Sequence, residues 1–287
     1  MNHLRKSLIF AVILFLGFAS SAPAETNGLR LLNASMSGYT DVVKQLIDAG
    51  ADVNITNAEG QTPLLFASQE GRTETVELLL QSGAKVNHVA DNSAIALFMA
   101  SQNNYVDVVK LLLDAGAEVD KTVKNNSNSL IVASQRGHDK VVKLLLGSGA
   151  EVNKINNDGA TSLFMAAQDG HLKAVRLLLK AEADTNIARH DGYTPLLFAS
   201  QEGYTKIVKR LLDAGTAVNR GNNAGITPLM FASQGGYRDI VKLLLESGAD
   251  ANAKVVQNGK TYTPLSLARM YEDSALIELL IQGGAKE

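Results

Sequence analysis

A segment of ten residues recurs along the chain at a fixed interval, and this periodicity constrains the fold more than any other feature. Its clearest copy is Thr62–Gly71. The register is marked by alanines that follow one another at steps of 33 residues, with a last step of 36: Ala67, Ala100, Ala133, Ala166, Ala199, Ala232 and Ala268. A constant period of this length predicts stacked units that each contact only their neighbours, rather than one globular core.

Each period has the pattern of two short helices followed by a loop. Thr62 can cap the first helix with its hydroxyl, and Pro63 fits the first helical position because no amide donor is needed there. The second helix carries Val76 and Leu79 on one face, and Gly83 suits the left-handed residue that ends it. A polar loop then leads to the next Thr-Pro step.

This period resembles the ankyrin repeat, and the resemblance covers about residues 28 to 285. Further Thr-Pro-Leu steps begin at Thr194, Thr227 and Thr263, and Gly-Ala steps begin at Gly50, Gly116, Gly149 and Gly248. The resemblance implies an all-α solenoid of about eight 33-residue helix-loop-helix units with hairpin-like loops, in which the terminal units act as caps. We expect the units to start near residues 28, 60, 93, 126, 159, 192, 225 and 259.

Several positions depart from this pattern. Units 3 and 4 lack the Thr-Pro step and carry Ile95 and Asn128 at its first position, of which Asn128 can still cap a helix. A residue with a Cβ replaces glycine where a left-handed backbone is expected, at Ser93, Asn126 and Glu182. If the left-handed turn is kept, Glu182 costs about 1 kcal/mol. We expect residues 88–130 to form the softest joint of the array.

Residues 1–24 lie outside the repeat and have the pattern of a secretory signal peptide. A basic start precedes an apolar run over residues 8–18, and Ala22-Pro23-Ala24 offers small residues where a signal peptidase cleaves. The run is shorter than the roughly 20 residues that span a bilayer, although an uncleaved anchor is the alternative. We therefore expect residues 25–287 to form a periplasmic or secreted repeat domain that does not insert into the membrane.

Charge and residue usage argue against several function classes. The chain carries 27 basic and 29 acidic side chains, and without the two basic residues of the leader the balance is 25 − 29 = −4. This mild acidity argues against a nucleic-acid partner, which would require a basic stripe. The chain has no cysteine, which excludes disulfides, thiol redox chemistry and thiolate metal sites.

The histidines and serines do not form a catalytic or metal-binding pattern. No pair among His88, His138, His171 and His190 has metal-ligand spacing, and His138 and His171 share one repeat position, where we expect packing and hydrogen bonding. The serines of the ten-residue segment recur at one position, whereas a nucleophile would be needed once, beside a base. We therefore expect no enzymatic activity, no cofactor and no metal.

A partner protein is expected on one side of the stack. In the family that the chain resembles, loops and first helices line a concave side, second helices form the outer side, and variable positions fall at the loop tips and the ends of the first helix. Carried over to this chain, those positions predict the following partner-binding residues: Glu59, Glu70, Asp91, Lys124, Arg136, Asp158, Asp169, His190, Tyr193, Glu202 and Tyr262.

Two further patterns fall on this side. Lys121, Lys124 and Arg136 make unit 4 basic between acidic neighbours, which would select a partner with complementary bands of charge. A glutamine closes the first helix without variation, at Gln69, Gln102, Gln135, Gln168, Gln201 and Gln234. We interpret these amides as hydrogen bonding between neighbouring units, with contact to a partner as the alternative.

The sequence thus predicts a monomeric, non-enzymatic scaffold that binds a partner protein on its concave face after export. An exported effector or inhibitor that acts on a host or competitor protein is the main alternative. A hidden enzyme or small-ligand binder is a further alternative, against which the absence of any unique constellation argues.

Overall fold

The computed structural model describes residues 23–270 and 272–286, and this part of the chain contains sixteen helices and one two-stranded sheet. The helices form eight successive pairs, so the predicted all-α solenoid of eight units is confirmed. The predicted leader falls almost wholly on residues 1–22, which lie outside the described residues.

The first helix and the second helix of each unit have the following bounds. Units 1 to 4 contain α1 (Pro23–Ser37) and α2 (Thr40–Asp48), α3 (Pro63–Gln69) and α4 (Thr73–Gln81), α5 (Ala96–Gln102) and α6 (Val106–Asp114), and α7 (Ser129–Gln135) and α8 (Asp139–Gly147). Units 5 to 8 contain α9 (Ser162–Gln168) and α10 (Leu172–Lys180), α11 (Pro195–Gln201) and α12 (Thr205–Asp213), α13 (Pro228–Gln234) and α14 (Arg238–Glu246), and α15 (Pro264–Arg269) and α16 (Ser274–Gln282).

The three-residue insertion before the last unit forms a hairpin. Its strands β1 (Val255–Gln257) and β2 (Lys260–Tyr262) pair in antiparallel register, with Val255 opposite Tyr262. Tyr262, which the sequence predicts as a binding residue, is half-buried at the end of β2, directly before Thr263, which caps α15.

Side-chain caps begin most of the first helices, as the Thr-Pro pattern predicts. The Leu65 amide donates a hydrogen bond of 3.2 Å to Thr62 Oγ1, and Thr194 caps α11 in the same way. Asn128 caps α7 by accepting a bond of 3.0 Å from the Ile131 amide, which confirms its predicted role. Ile95 has no polar side-chain atom, so α5 begins without a side-chain cap.

One apolar core runs through the stack. Leu64 and Ala67 of α3 and Val76 and Leu79 of α4 are buried, and their counterparts in the other units continue the same cluster. Neighbouring first helices contact one another more extensively than neighbouring second helices do, as expected of a stack whose first-helix side is concave. Each unit therefore depends on its neighbours to bury its apolar side chains.

The residue after the glycine between the two helices links consecutive units. His138 Nε2 donates to the Gln102 carbonyl oxygen at 3.0 Å, and His171 Nε2 donates to the Gln135 carbonyl oxygen at 2.8 Å. Arg72 makes the equivalent bond of 3.1 Å from Nε to the Met36 carbonyl oxygen. The predicted packing and hydrogen-bonding role of His138 and His171 is confirmed.

Loop asparagines form a second set of links, which the sequence alone does not indicate. Asn87 Nδ2 donates to the Gly116 carbonyl oxygen at 3.0 Å, and its Oδ1 accepts from the Glu118 amide at 2.8 Å. Asn54 and Asn219 make the same two bonds to the next unit. One side chain thereby satisfies both a carbonyl and an amide of its neighbour.

Backbone bonds also join the tips of successive loops. The Asp91 amide donates to the Glu59 carbonyl oxygen at 3.1 Å, and the Asn157 amide donates to the Asn125 carbonyl oxygen at 3.0 Å. Equivalent bonds join units 5 to 6 and 6 to 7. Within the part of the chain that is described, no such bond joins the tips of units 3 and 4. This gap lies inside residues 88–130, which the sequence predicts to be the softest joint.

The predicted left-handed turns are kept where glycine is replaced. Ser93, Asn126 and Glu182 have φ values of 65°, 59° and 62°.

Glu182→Gly is therefore expected to raise the free energy of unfolding by about 1 kcal/mol, because glycine adopts this backbone without Cβ strain. Chemical denaturation monitored by circular dichroism would measure the change. Glu246→Gly within α14 is a control that is expected to destabilise. A stability loss in Glu182→Gly would show that the strain is absent.

Candidate functional site

The exposed side of each first helix is narrow. In α3 every residue is buried except Phe66 and Gln69, which lie three positions apart and so share one face. Glu70, at the end of the helix, continues the same face. In units 2, 3, 5, 6 and 7 the concave surface is therefore built from a half-buried apolar or aromatic residue, one glutamine and one variable residue, together with the loop tips. In unit 4 the counterpart of Phe66 is Val132, which is buried.

The structure places most of the predicted binding residues on accessible positions of this side. Glu70, Tyr193 and Tyr262 are half-buried, and the others are exposed, namely Glu59, Asp91, Lys124, Arg136, Asp158, Asp169, His190 and Glu202. Accessibility is compatible with binding, and binding by these residues stays a prediction.

Tyr193 belongs to a group of four rings, which we name the aromatic cluster: Phe164, Tyr193, Phe198 and Phe231. The ring centroid of Tyr193 lies 5.4 Å from that of Phe198 and 5.8 Å from that of Phe231. Phe164 meets Phe198 edge to face at 5.7 Å and is itself fully buried. Three half-buried rings therefore lie over a buried one across units 5 to 7.

Arg189 lies against the same rings. Its guanidinium carbon is 5.3 Å from the centroid of Phe164 and 5.7 Å from those of Tyr193 and Phe198. The group also forms an ion pair with Asp191, in which Nε donates to Oδ1 at 3.0 Å. The hydrogen bond from Arg189 is the main reason why the pKa of Asp191 lies below its usual value, and the same bond raises the pKa of Arg189.

Arg189 can lie against the rings because another residue makes the hydrogen bonds that close the loop of unit 6. At the equivalent position Asn57 accepts bonds from the Glu59 and Gln61 amides, and Asn222 does the same in unit 7. In unit 6, Asp191 instead accepts a bond of 3.2 Å from the Tyr193 amide. The sequence-based site does not include Arg189, Phe198 or Phe231. The available signal is that arginine replaces asparagine in one unit.

The interpretation of the glutamine row as bonds between units is wrong. Gln69, Gln168 and Gln201 donate from Nε2 to the carboxylate of the next residue in their own unit, at 3.3, 3.3 and 3.1 Å. The row lies on the concave side rather than in the interface between helices, so a carboxylate at the following position is the nearest acceptor. Among the described residues no amide of this row bonds to a neighbouring unit.

The described residues show no arrangement specific to metal binding or membrane insertion. Within residues 23–270 and 272–286, no three His, Asp or Glu side chains converge to hold a metal ion. In the same part of the chain, none of the helices combines the length and the apolar character that crossing a bilayer requires.

Comparison with known proteins identifies one family. A family model for ankyrin repeats (3 copies) matches residues 31–123, 97–189, 130–222, 163–255 and 215–287. Together these overlapping matches extend from residue 31 to residue 287. No curated protein gives a significant match to the chain.

Proposed function

Because this chain belongs to the ankyrin repeat family, whose repeats generally serve as protein–protein interaction modules, we propose that it is a non-enzymatic scaffold that holds a partner protein on its concave face. The observation that carries this proposal is the continuous accessible face of the first helices and loop tips. Half-buried apolar residues alternate there with exposed charges, as at Phe66 and Glu59.

The distribution of charge on this face supports a selective partner. Lys124 and Arg136 are exposed in unit 4, and carboxylates lie on both sides, at Glu59 and Asp91 and at Asp158. Bands of alternating sign favour a partner with the opposite order of charges and disfavour others. A monomeric chain would leave this face free.

The proposal includes export. The leader pattern in residues 1–24 supports a periplasmic or secreted repeat domain over residues 25–287. The same leader supports the second candidate, an exported effector or inhibitor that acts on a host or competitor protein. A partner recovered from the periplasm favours the scaffold, whereas one recovered from another cell favours the effector.

The triple variant Lys124→Ala, Arg136→Ala, Tyr193→Ala is expected to weaken partner binding by at least about tenfold, because it removes two charges and one aromatic ring from the accessible face. Affinity capture from a periplasmic extract and from culture medium would recover the partner, and titration of that partner would compare the proteins.

The matched control is Lys143→Ala, Arg176→Ala, Tyr39→Ala, which removes the same side-chain types from exposed positions that belong to the second helices or precede one. Unchanged affinity in the first variant would show that the concave face is not the site. Turnover of a substrate by the purified chain would contradict the non-enzymatic assignment.

A further inference from the structure

We propose that units 5 to 7 bind a segment of the partner protein in which an aromatic or aliphatic side chain stands next to a lysine or arginine. This inference rests on the proposed function and specifies the chemistry of the partner. It combines two observations, the aromatic cluster and a group of carboxylates beside it.

The aromatic cluster supplies the apolar half of the site. Tyr193, Phe198 and Phe231 are each half-buried, and their rings follow one another across the boundary between units 6 and 7. Phe164 is buried beneath them, so the rings rest on a packed base. Contiguous, partly exposed aromatic surface on a rigid base is typical of the anchor points of protein interfaces.

The charge of Arg189 does not oppose a cationic partner. Arg189 is paired with Asp191, and its guanidinium is turned over Phe164, Tyr193 and Phe198. The pair contributes no net charge to the surface. The charge of Arg189 also attracts Asp158, so Asp169 and Glu202 are the carboxylates that set the local charge.

Asp169 and Glu202 supply the charged half of the site. They occupy equivalent positions at the ends of α9 and α11, which pack directly against each other. Packed helices lie about 8–10 Å apart, so one ammonium or guanidinium group between the two carboxylates can interact with both. Asp158, exposed at the tip of unit 5, adds a third negative charge.

These carboxylates are held in place and are not neutralised. Gln168 and Gln201 each donate a hydrogen bond to the carboxylate that follows them. In the described part of the chain, no ion pair involves Asp158, Asp169 or Glu202. Arg136 occupies the equivalent position at the end of α7, on the other side of Asp169 from Glu202. The surface beside the rings therefore presents carboxylates that form no ion pair, and they are complementary to a basic and apolar segment.

An internal copy shows that this surface is specific to units 5 to 7. Residues 62–71 and 194–203 have the same sequence, so Phe66 and Phe198 stand on identical helices. Within the described residues Phe66 has no ring partner, whereas Phe198 contacts Phe164 and Tyr193. The residue equivalent to Glu70 in the next unit is Asn103, so Glu70 has no acidic neighbour of the kind that Asp169 has in Glu202. The difference comes from the neighbours and not from the repeated segment.

The test uses the full repeat chain and a phage-displayed library of short random peptides. Selection is expected to enrich peptides in which Phe, Trp, Tyr or Leu lies within a few residues of Lys or Arg. Synthetic copies of these peptides should bind at least about tenfold more weakly to Phe198→Ala. The isosteric pair Asp169→Asn, Glu202→Gln should weaken binding by a similar factor and reduce its dependence on salt.

Matched controls separate binding from folding. Asp48→Asn with Asp114→Asn removes two exposed charges from the ends of second helices and is expected to bind the selected peptides as the wild type does. Phe66→Ala makes the same change in the same helix sequence and shows how much this truncation alone lowers stability. Circular dichroism would check the fold of each variant, and the isosteric pair keeps the test valid if Phe198→Ala unfolds.

Three outcomes would overturn the inference: no enrichment, enrichment of acidic peptides, or binding that is unaffected by both unit 5 to 7 variants. If the captured partner depends on Lys124 and Arg136 alone, the inference fails while the proposed function stands. If no concave substitution affects the captured partner, the proposed function fails as well.

Discussion

Replacing Ser68, Ser101, Ser134, Ser200 and Ser233 together by alanine is expected to raise the free energy of unfolding by about 5 kcal/mol, roughly 1 kcal/mol at each site. All five side chains are fully buried. Their hydroxyl oxygens find no hydrogen-bond partner among the described protein atoms. Burial of an unpaired hydroxyl is unfavourable, and alanine is in addition the better helix former.

The chain contains its own comparison for this substitution. Ala167 occupies the same position in unit 5 and is fully buried, so the stack accepts alanine there. The reverse change Ala167→Ser is expected to destabilise by about 1–3 kcal/mol. Ser82→Ala is a control at a serine that has a partner, since its hydroxyl donates to the Leu78 carbonyl oxygen at 2.8 Å.

Urea denaturation followed by circular dichroism would measure all three proteins. Additive gains in the free energy of unfolding across the five serine sites, and no gain at Ser82, would support the interpretation that the five buried hydroxyls are unpaired. A net loss of stability in the five-site variant would mean that the hydroxyls find partners in solution.

Gly71→Ala is expected to lower the free energy of unfolding by about 2–5 kcal/mol. Gly71 has a φ of 67°, which costs a residue with a Cβ about 1–2 kcal/mol. An added Cβ would also stand 2.6 Å from Cδ1 of Tyr105 in the next unit. Relief of that overlap requires the ring to move and costs about 1–3 kcal/mol more.

Gly83→Ala separates the two contributions. Gly83 has a φ of 88°, but an added Cβ there meets no atom within 4 Å. This variant is expected to lose only the backbone part, about 1–2 kcal/mol. Thermal and urea unfolding of both variants would give the difference. Equal losses at the two sites would show that the contact with Tyr105 does not contribute.

The fold could be predicted from the sequence because its signals are local. Thr62, Pro63 and Gly83 act on the backbone within a few residues of themselves, and each plays its predicted part. The same holds for Asn128, whose short polar side chain caps α7 without the usual threonine. Local signals that recur with a strict period then determine the stack.

The candidate site depends on contacts that no local pattern contains. Phe198 and Phe66 belong to identical ten-residue copies, yet only Phe198 lies in a ring cluster, because Phe164 comes from the preceding unit and Tyr193 stands where the other copy is preceded by Gln61. The sequence-based interpretation of the glutamine row is wrong for the same reason. Its invariance indicated a common structural role, whereas Gln168 and Gln201 bond to carboxylates that differ between units.

The missing bond between the loop tips of units 3 and 4 has a mechanical consequence. A curved stack whose loop tips are bonded together resists changes in its radius, and among the described residues this bond is absent near Lys124 and again between units 7 and 8. We therefore expect bending to concentrate at these two boundaries, and the angle between units 1–3 and units 4–7 to adjust more easily than the angles between units 4 to 7. The aromatic cluster lies within units 5 to 7, whose loop tips are bonded, so we expect it to keep its shape while the groove widens or narrows around a partner.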